Sequence, residues 1–164
     1  MTVLFIGRFQ PFHNGHAYVL DALEGEDVIV GVGSAYESHT LDNPFTCRER
    51  MEMILRSDYR PYVMLPIPDI NRCSLWVRHV ESLVPTFDAV VTNNPRDRAL
   101  FSEAGYTLTE IPLLNRKELN ATEIRRRIAT GGAWRHLVPE GTTEVIDSVG
   151  AVERIRRLTD SGGG

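Results

Sequence analysis

Short apolar runs alternate along the chain with segments whose apolar residues recur at helical spacing. The runs lie at 2–7, 27–34, from 62 to near 66, 88–92 and 106–111. Continuous rather than alternating apolarity is typical of strands covered on both faces of a parallel sheet. Helical spacing occupies 15–23, the segment from Thr46 onward, 74–84 and 96–104. The pattern predicts an α/β, Rossmann-like fold: an open parallel five-stranded sheet with helices on both faces.

Capping residues and glycines set the predicted helix ends. Thr46 followed by Glu49 is a capping-box pattern, and Asn120 followed by Glu123 is a similar one. The helix opened by Asn120 should end at the glycine pair 131–132, and two short helices should follow at 140–148 and 151–159. We expect a single domain over 1–160, with a short helical C-terminal part and a disordered tail at 161–164.

Composition narrows the range of partners. The 164 residues are 42% hydrophobic, which is enough for one sizeable core, and the net charge of -4 argues against a nucleic-acid partner. No stretch approaches the ~20 apolar residues of a membrane helix, so no membrane partner is expected. The two cysteines lack CxxC spacing and no secretory signal opens the chain. We therefore expect a cytoplasmic location with reduced thiols.

The turn after the first run carries the clearest chemistry. Two histidines and an arginine lie within Gly7-Arg8-Phe9-Gln10-Pro11-Phe12-His13-Asn14-Gly15-His16, between a predicted strand and a predicted helix. A helix N-terminus offers unpaired N–H groups and a positive dipole end, so the turn favours an anion such as phosphate. A lone histidine would more often cap a turn or pack in the core, but this combination favours a ligand. Gly15 is predicted to leave room for a phosphate or nucleoside.

Further polar loops follow the other predicted strands, and we expect them at the same edge of the sheet. Trp76 offers a flat face to a cationic ring, a contact worth ~0.5–2 kcal/mol, although a tryptophan at helical spacing more often packs in the core. At the Asn120 helix start, Thr122 and Arg125 could reach the β- and γ-phosphates of a nucleotide. The alternative there is a solvated basic helix face.

These motifs carry a resemblance. His13-x-Gly15-His16 after a first strand resembles the signature of the HxGH nucleotidyltransferase superfamily. Four further stretches, in order and at matching spacing, resemble its nicotinamide-nucleotide (NMN) adenylyltransferase branch of the archaeal type: 33–46, 69–77, 92–95 and 115–127. The chain departs from that branch at Cys73, Asn93 and Ala121.

The resemblance implies that the protein makes NAD and pyrophosphate from ATP and NMN, by direct in-line attack of the NMN phosphate on the ATP α-phosphate. It implies Mg²⁺ carried mainly by the ATP phosphates, no metal ligands from the protein, and a homo-oligomer, a hexamer in the related enzymes. It assigns catalysis to Arg8, His13, His16 and Arg125. It assigns ATP binding to Gly7, Phe9, Gly15, Asp69, Asn94, Thr122 and Ile124. It assigns NMN binding to Ser34, His39, Thr40, Asn43, Ile70, Asn71 and Trp76.

Two alternatives stay open at this point. One is another HxGH nucleotidyltransferase, such as a phosphopantetheine adenylyltransferase or a cytidylyltransferase; Trp76 and the loop from Ser38 to Thr46 argue against it. The other is a non-catalytic nucleotide sensor. The intact set of His13, His16 and Arg125 argues against a sensor, because a binding protein has less need of cationic donors around the α-phosphate.

Overall fold

Five parallel strands form one sheet in a computed structural model that describes residues 1–112 and 115–162. The strands are β1 (Thr2–Gly7), β2 (Asp27–Gly33), β3 (Val63–Ile67), β4 (Ala89–Val91) and β5 (Thr107–Leu108). Their order is β3-β2-β1-β4-β5, and every neighbouring pair is parallel. The predicted parallel α/β sheet is confirmed. The order reverses at β1, so the switch point, where ligands bind in such sheets, lies beside the end of β1.

The described chain contains seven α-helices: α1 (Asn14–Ala22), α2 (Cys47–Arg56), α3 (Trp76–Glu81), α4 (Pro95–Glu103), α5 (Ala121–Thr130), α6 (Glu140–Ser148) and α7 (Ala151–Gly162). Short 3-10 turns occupy Cys73–Leu75 and Arg135–Leu137. None of these described helices is long and apolar enough to cross a bilayer. Helix α7 continues through Ser161, which had been predicted to belong to a disordered tail; residues 163–164 lie outside the described part.

Two predicted elements are shorter in the structure. The helix expected over 74–84 is a 3-10 turn followed by α3, which ends at Glu81. The strand expected over 106–111 pairs only at Thr107 and Leu108, because β4 offers a pairing edge of just three residues.

The described residues group into two compact units, each discontinuous in sequence. The first comprises 1–8, 23–35 and 61–112, and contains the whole sheet with α3 and α4. The second comprises 9–22, 36–60 and the described residues after 112, and contains α1, α2, α5, α6 and α7. The single domain expected over 1–160 stays a prediction.

The core of the first unit is apolar and centred on the inner strands. Removing this apolar surface from water stabilises the sheet by roughly 25 cal/mol per Å². The ring of Phe87 stacks on that of Tyr106 with centroids 4.5 Å apart, at the β5 side of the cluster. The buried members are Leu4, Ile6, Ile29, Ile67, Trp76, Val80, Phe87, Val90 and Phe101.

Both predicted caps form in the second unit, one completely and one in part. Thr46 Oγ1 accepts from the Glu49 N–H (3.1 Å) and Glu49 Oε1 accepts from the Thr46 N–H (2.9 Å), which completes the capping box of α2. Asn120 Oδ1 accepts from the Glu123 N–H (2.8 Å) at α5. The Glu123 carboxylate does not reciprocate, because it accepts hydrogen bonds from the arginines at 126 and 127 instead.

Helix α6 lies against the end of α2 at a glycine. A Cβ atom on Gly141 would come within 2.4 Å of the Arg56 carbonyl carbon and of the Ser57 nitrogen. These are backbone atoms, so a side chain at Gly141 could fit only if one helix moved. The close approach of α2 and α6 therefore requires glycine at this position.

Replacing Gly141 by Ala should lower the free energy of unfolding by about 3 kcal/mol, because the added methyl group overpacks the contact. Gly132→Ala is the matched control, since its Cβ would meet Arg127 atoms at an ordinary 3.5 Å. Denaturant unfolding of both variants measures the difference. Equal stabilities for the two variants would contradict the predicted packing of α6 on α2.

Candidate active site

Predicted ligand-binding residues of the first unit follow the carboxyl ends of four strands. Arg8 follows β1, Ser34 follows β2, Asp69 and Ile70 follow β3, and Asn94 follows β4. Because the strands are parallel, these residues lie at one edge of the sheet, as expected from the sequence. Gly7 is the last residue of β1 and pairs with Val32 of β2.

Several of these edge residues have defined local roles. Asn94 caps α4, since its Oδ1 accepts from the N–H groups of Arg96 (2.9 Å) and Asp97 (3.2 Å). Ser34 and Asn71 adopt left-handed backbone angles, with φ of 45° and 55°. Such angles are uncommon outside glycine and re-aim the chain where it leaves a strand.

Trp76 lies mostly in the core of the first unit. Its side chain is 6% exposed, and its indole Nε1 is buried with no acceptor in the described part of the chain. The guanidinium carbon of Arg96 lies 6.0 Å from the centre of the ring. Most of the ring therefore serves packing, and the predicted stacking with nicotinamide stays a prediction.

In the second unit, His13 and His16 stack on each other at the start of α1. Their ring centroids are 3.7 Å apart with an interplanar angle of 27°. His13 Nδ1 accepts from the Gly15 N–H (3.0 Å), and His16 Nδ1 accepts from the His13 N–H (3.1 Å). A neutral imidazole whose Nδ1 accepts carries its proton on Nε2. Each ring is thereby set up as an Nε2–H donor.

Burial keeps both rings neutral at pH 7. It lowers the pKa of His13 to about 4. Burial, and then the charge that His13 would carry, place the pKa of His16 well below its ordinary value. An anion close to the rings would favour their protonated forms and raise both pKa values. Charging either ring would put a proton on the Nδ1 atom that accepts a backbone N–H and would break that hydrogen bond, so the rings as placed are neutral Nε2–H donors.

The structure gives Gly15 a role next to the His13 ring. A Cβ atom at Gly15 would lie 2.8 Å from Cε1 of His13. The glycine therefore makes room for the His13 ring, and the expected space for a phosphate or nucleoside stays a prediction.

Arg125 connects the second predicted phosphate motif, at the start of α5, to residues 7–16, the histidine turn. Its side chain is buried, and Nη1 donates to the Gln10 carbonyl at 2.8 Å, across 115 residues of sequence. Nη2 lies 3.4 Å from Thr122 Oγ1 and 4.0 Å from the exposed carboxylate of Asp42. The two motifs, expected to act together, are in direct contact within the second unit.

Two other residues assigned to ATP are buried in this unit. Ile124 is fully buried, and its N–H donates to the Asn120 carbonyl (3.1 Å). Phe9 is 1% exposed and meets the His16 ring edge to face, with centroids 4.8 Å apart. Both side chains are therefore placed to support the neighbouring polar groups.

Sequence reasoning missed the structural role of Gln10. Its side chain is 1% exposed and pairs with the backbone of Phe45: Oε1 accepts from the Phe45 N–H (2.9 Å) and Nε2 donates to the Phe45 carbonyl (3.0 Å). A signal was available, because an amide flanked by Phe9, Pro11 and Phe12 must find partners if its neighbours are buried.

Arg50 is another buried polar side chain that the sequence pattern does not reveal. It is fully buried in α2, and its Nε donates to the Thr46 carbonyl at 3.1 Å.

Residues 38–46 form a tight turn of their own. This segment is called the acceptor loop, because the resemblance assigns NMN, the acceptor of the nucleotide, to several of its residues. Thr40 Oγ1 accepts from the Asn43 N–H (3.1 Å), and the Thr40 N–H donates to the Asn43 carbonyl (3.3 Å). His39 has φ of 57°, and its Nδ1 lies 3.0 Å from Ser38 Oγ. His39 and Thr40 are exposed. The loop is ordered internally and still presents polar side chains.

The described side chains do not form a cluster of metal ligands. Among the residues that the structure describes, no group of three or more histidine, cysteine, aspartate or glutamate side chains is placed to hold a metal ion. A divalent cation in this site would take its ligands from phosphate oxygens and water, as Mg²⁺ commonly does.

Comparison with known proteins agrees with this geometry. Residues 4–127 match the family described as cytidylyltransferase-like. A nicotinamide-nucleotide adenylyltransferase of Methanococcus aeolicus is 45% identical over 96% of this chain and 95% of its own. One of Picrophilus torridus is 47% identical over 98% of this chain and 99% of its own.

Among solved structures, a bifunctional NMN adenylyltransferase/ADP ribose pyrophosphatase of Francisella tularensis, complexed with AMP and a manganese ion, has the same fold. It superposes with a TM-score of 0.74 at 21% identity and covers 99% of this chain, which spans about half (52%) of that protein. The match to the family model and the identity with full-length relatives lead to one conclusion. The chain belongs to the cytidylyltransferase-like family and, within it, to the nicotinamide-nucleotide adenylyltransferases.

Proposed function

We propose that the protein joins the adenylyl group of ATP to NMN, giving NAD and pyrophosphate. The observation that carries this is the stacking of His13 on His16 and the hydrogen bond from Arg125 to Gln10 of the same turn. It is made in a chain that matches NMN adenylyltransferases along nearly its whole length. An oxygen of the NMN phosphate attacks the ATP α-phosphorus, and the bond from that phosphorus to the pyrophosphate oxygen breaks. The attacking phosphate is already ionised, so no general base is needed.

The protein's contribution is to position the reactants and to donate hydrogen bonds to the phosphate oxygens. The Nε2–H groups of His13 and His16 are fixed by their Nδ1 contacts and rotate little. Arg125 is held by the Gln10 carbonyl and by Thr122. Preorganised donors of this kind stabilise the transition-state charge without reorganising during reaction. Arg8 is proposed as a fourth donor, one that carries a permanent positive charge.

Mg²⁺ bound to the ATP phosphates would neutralise part of their charge, which suits a donor set without a cluster of carboxylates. The remaining assignments extend the proposal residue by residue. ATP binding falls to Gly7, Phe9, Gly15, Asp69, Asn94, Thr122 and Ile124. NMN binding falls to Ser34, His39, Thr40, Asn43, Ile70, Asn71 and Trp76.

Two further properties are part of the proposal. Cys47 and Cys73 form no disulfide, which agrees with a cytoplasmic location. A homo-oligomer, specifically a hexamer, follows from the family resemblance, and light scattering of the purified protein tests it.

The purified protein with ATP, Mg²⁺ and NMN should release pyrophosphate and form NAD. Parallel reactions replace NMN by phosphopantetheine, or offer CTP with a phosphorylated acceptor. Release with phosphopantetheine or CTP alone would assign another activity of the same family. Nucleotide binding without pyrophosphate release in any reaction would indicate a sensor.

His16→Ala should lower kcat by roughly 10²–10³, because one preorganised donor to the transition state is lost. The thermal midpoint should fall far less than this loss implies. His136→Ala is the control, because this histidine is exposed and the side chain of Asn14 bonds to its main-chain carbonyl, which the substitution keeps. Should His16→Ala lose activity only in proportion to its folded fraction, the histidine is a core residue and not a donor.

Trp76→Leu should raise KM for NMN by about fivefold, since it removes the aromatic face that a charged ring would use. KM for ATP should stay within a factor of two. Trp76→Phe keeps an aromatic ring and core volume, so its KM for NMN should remain near that of the wild type. A KM for NMN unchanged in the leucine variant would leave Trp76 with packing alone.

A further inference from the structure

The acceptor loop is held by a helix that lies beyond the family match. The cytidylyltransferase-like match ends at residue 127, whereas α7 begins at Ala151. From α7, Arg154 Nη1 donates to the Pro44 carbonyl of the acceptor loop at 3.1 Å. The contact joins the far C-terminal helix to the loop assigned to NMN.

A paired carboxylate strengthens this contact. Arg154 Nη1 lies 2.7 Å from Glu49 Oε1, and Nη2 lies 3.0 Å from Oε2, a bidentate pair. The two side chains are only 18% and 13% exposed. Bidentate arginine–carboxylate pairs fix orientation as well as adding energy, and partial burial reduces their screening by solvent.

Glu49 serves the loop as well. The same Oε1 atom that accepts from Arg154 also accepts from the Thr46 N–H at the end of the loop, in the capping box of α2. Burial alone would raise the pKa of Glu49, but hydrogen bonds from Arg154 and Thr46 outweigh it and leave the pKa below its ordinary value. The carboxylate therefore stays charged at neutral pH.

Arg154 contacts the acceptor loop at Pro44, next to the turn between Thr40 and Asn43 that presents polar side chains. Pro44, whose carbonyl accepts from Arg154, also accepts from the His39 N–H (3.4 Å). One residue earlier, Asn43 closes the turn with Thr40. A shift of Pro44 would thus move His39 and Thr40 together.

We propose that Arg154 is a positioning residue for the acceptor nucleotide, which fixes the acceptor loop through Pro44 and Glu49 so that the loop can bind NMN. The inference rests on the proposed function, because it needs the loop to contact NMN. It implies that acceptor selectivity depends on the C-terminal helix, outside the segment that the chain shares with the wider family.

The test separates the two substrates. Arg154→Met should raise KM for NMN about tenfold, the usual scale for losing hydrogen bonds to a charged group, while KM for ATP changes less than twofold. Arg154→Lys keeps the charge but not the planar fork, so its KM for NMN should lie between those of the wild type and the methionine variant. Arg157→Met is the matched control, since Arg157 lies on the same helix, is 77% exposed and pairs only with Glu153 among the described residues.

If Arg154→Met does not fold, Glu49→Gln tests the same positioning role. Glutamine can keep the capping hydrogen bond to Thr46 while removing the charge, so the same selective rise in KM for NMN is expected. An equal rise in KM for both substrates, or no difference from Arg157→Met, would overturn the proposal.

A second measurement is independent of catalysis. Hydrogen exchange at the His39 and Thr40 amides should speed up at least tenfold in Arg154→Met and not in Arg157→Met. Unchanged exchange would also overturn the positioning role. If the wild type does not turn over NMN, the proposed function fails, while the exchange experiment still shows whether Arg154 orders the loop.

Discussion

The second unit depends on one buried amide. The side-chain oxygen and nitrogen of Gln10 both bond to the Phe45 backbone, and the main-chain carbonyl of Gln10 accepts from Arg125. Leaving either side-chain atom unpaired at this depth would cost about 1–3 kcal/mol. The histidine turn, the acceptor loop and α5 are therefore joined through a single residue, and the position of each constrains the other two. The C-terminal part adds a fourth contact, because buried Thr142 donates to the Phe12 carbonyl at 2.9 Å.

The same part of the structure suits the proposed role of two buried histidines as donors to an anion. Phe9 and Phe12 pack against the His16 ring, and burial lowers the pKa of both histidines and keeps them neutral. The same packing, with the Nδ1 contacts, fixes each Nε2–H donor. A neutral ring with a fixed Nε2–H can donate to a phosphate oxygen without any change of protonation, so the pair suits its proposed role without becoming charged.

The sequence supported the sheet, most helix bounds and the complete capping box because these depend on local signals: apolar runs, N-cap residues and glycines. The short β5 could not be anticipated, since its length depends on how much of β4 is available for pairing. The Glu123 carboxylate illustrates the same limit, because a sequence pattern cannot say whether a glutamate reaches its cap or the arginines one turn later. For the candidate site, the motifs named the residues but not their dependence on Gln10 and Arg50. For Trp76 the sequence left core packing and ring stacking both open, and the structure places most of the side chain in the core.

The family match ends at residue 127, whereas a contact that holds the acceptor loop comes from Arg154 on α7, beyond that match. The residues proposed for phosphate chemistry, in the histidine turn and at Arg125, all lie within residues 4–127. Choosing an acceptor requires a loop held in one conformation, since a loop that must order itself on binding loses affinity to conformational entropy. In this chain part of that order comes from Arg154 on α7, through a pair that is mostly buried. On the proposed function, the residues assigned to the transfer lie in the segment that matches the family, and the acceptor loop is held in part by a helix outside it.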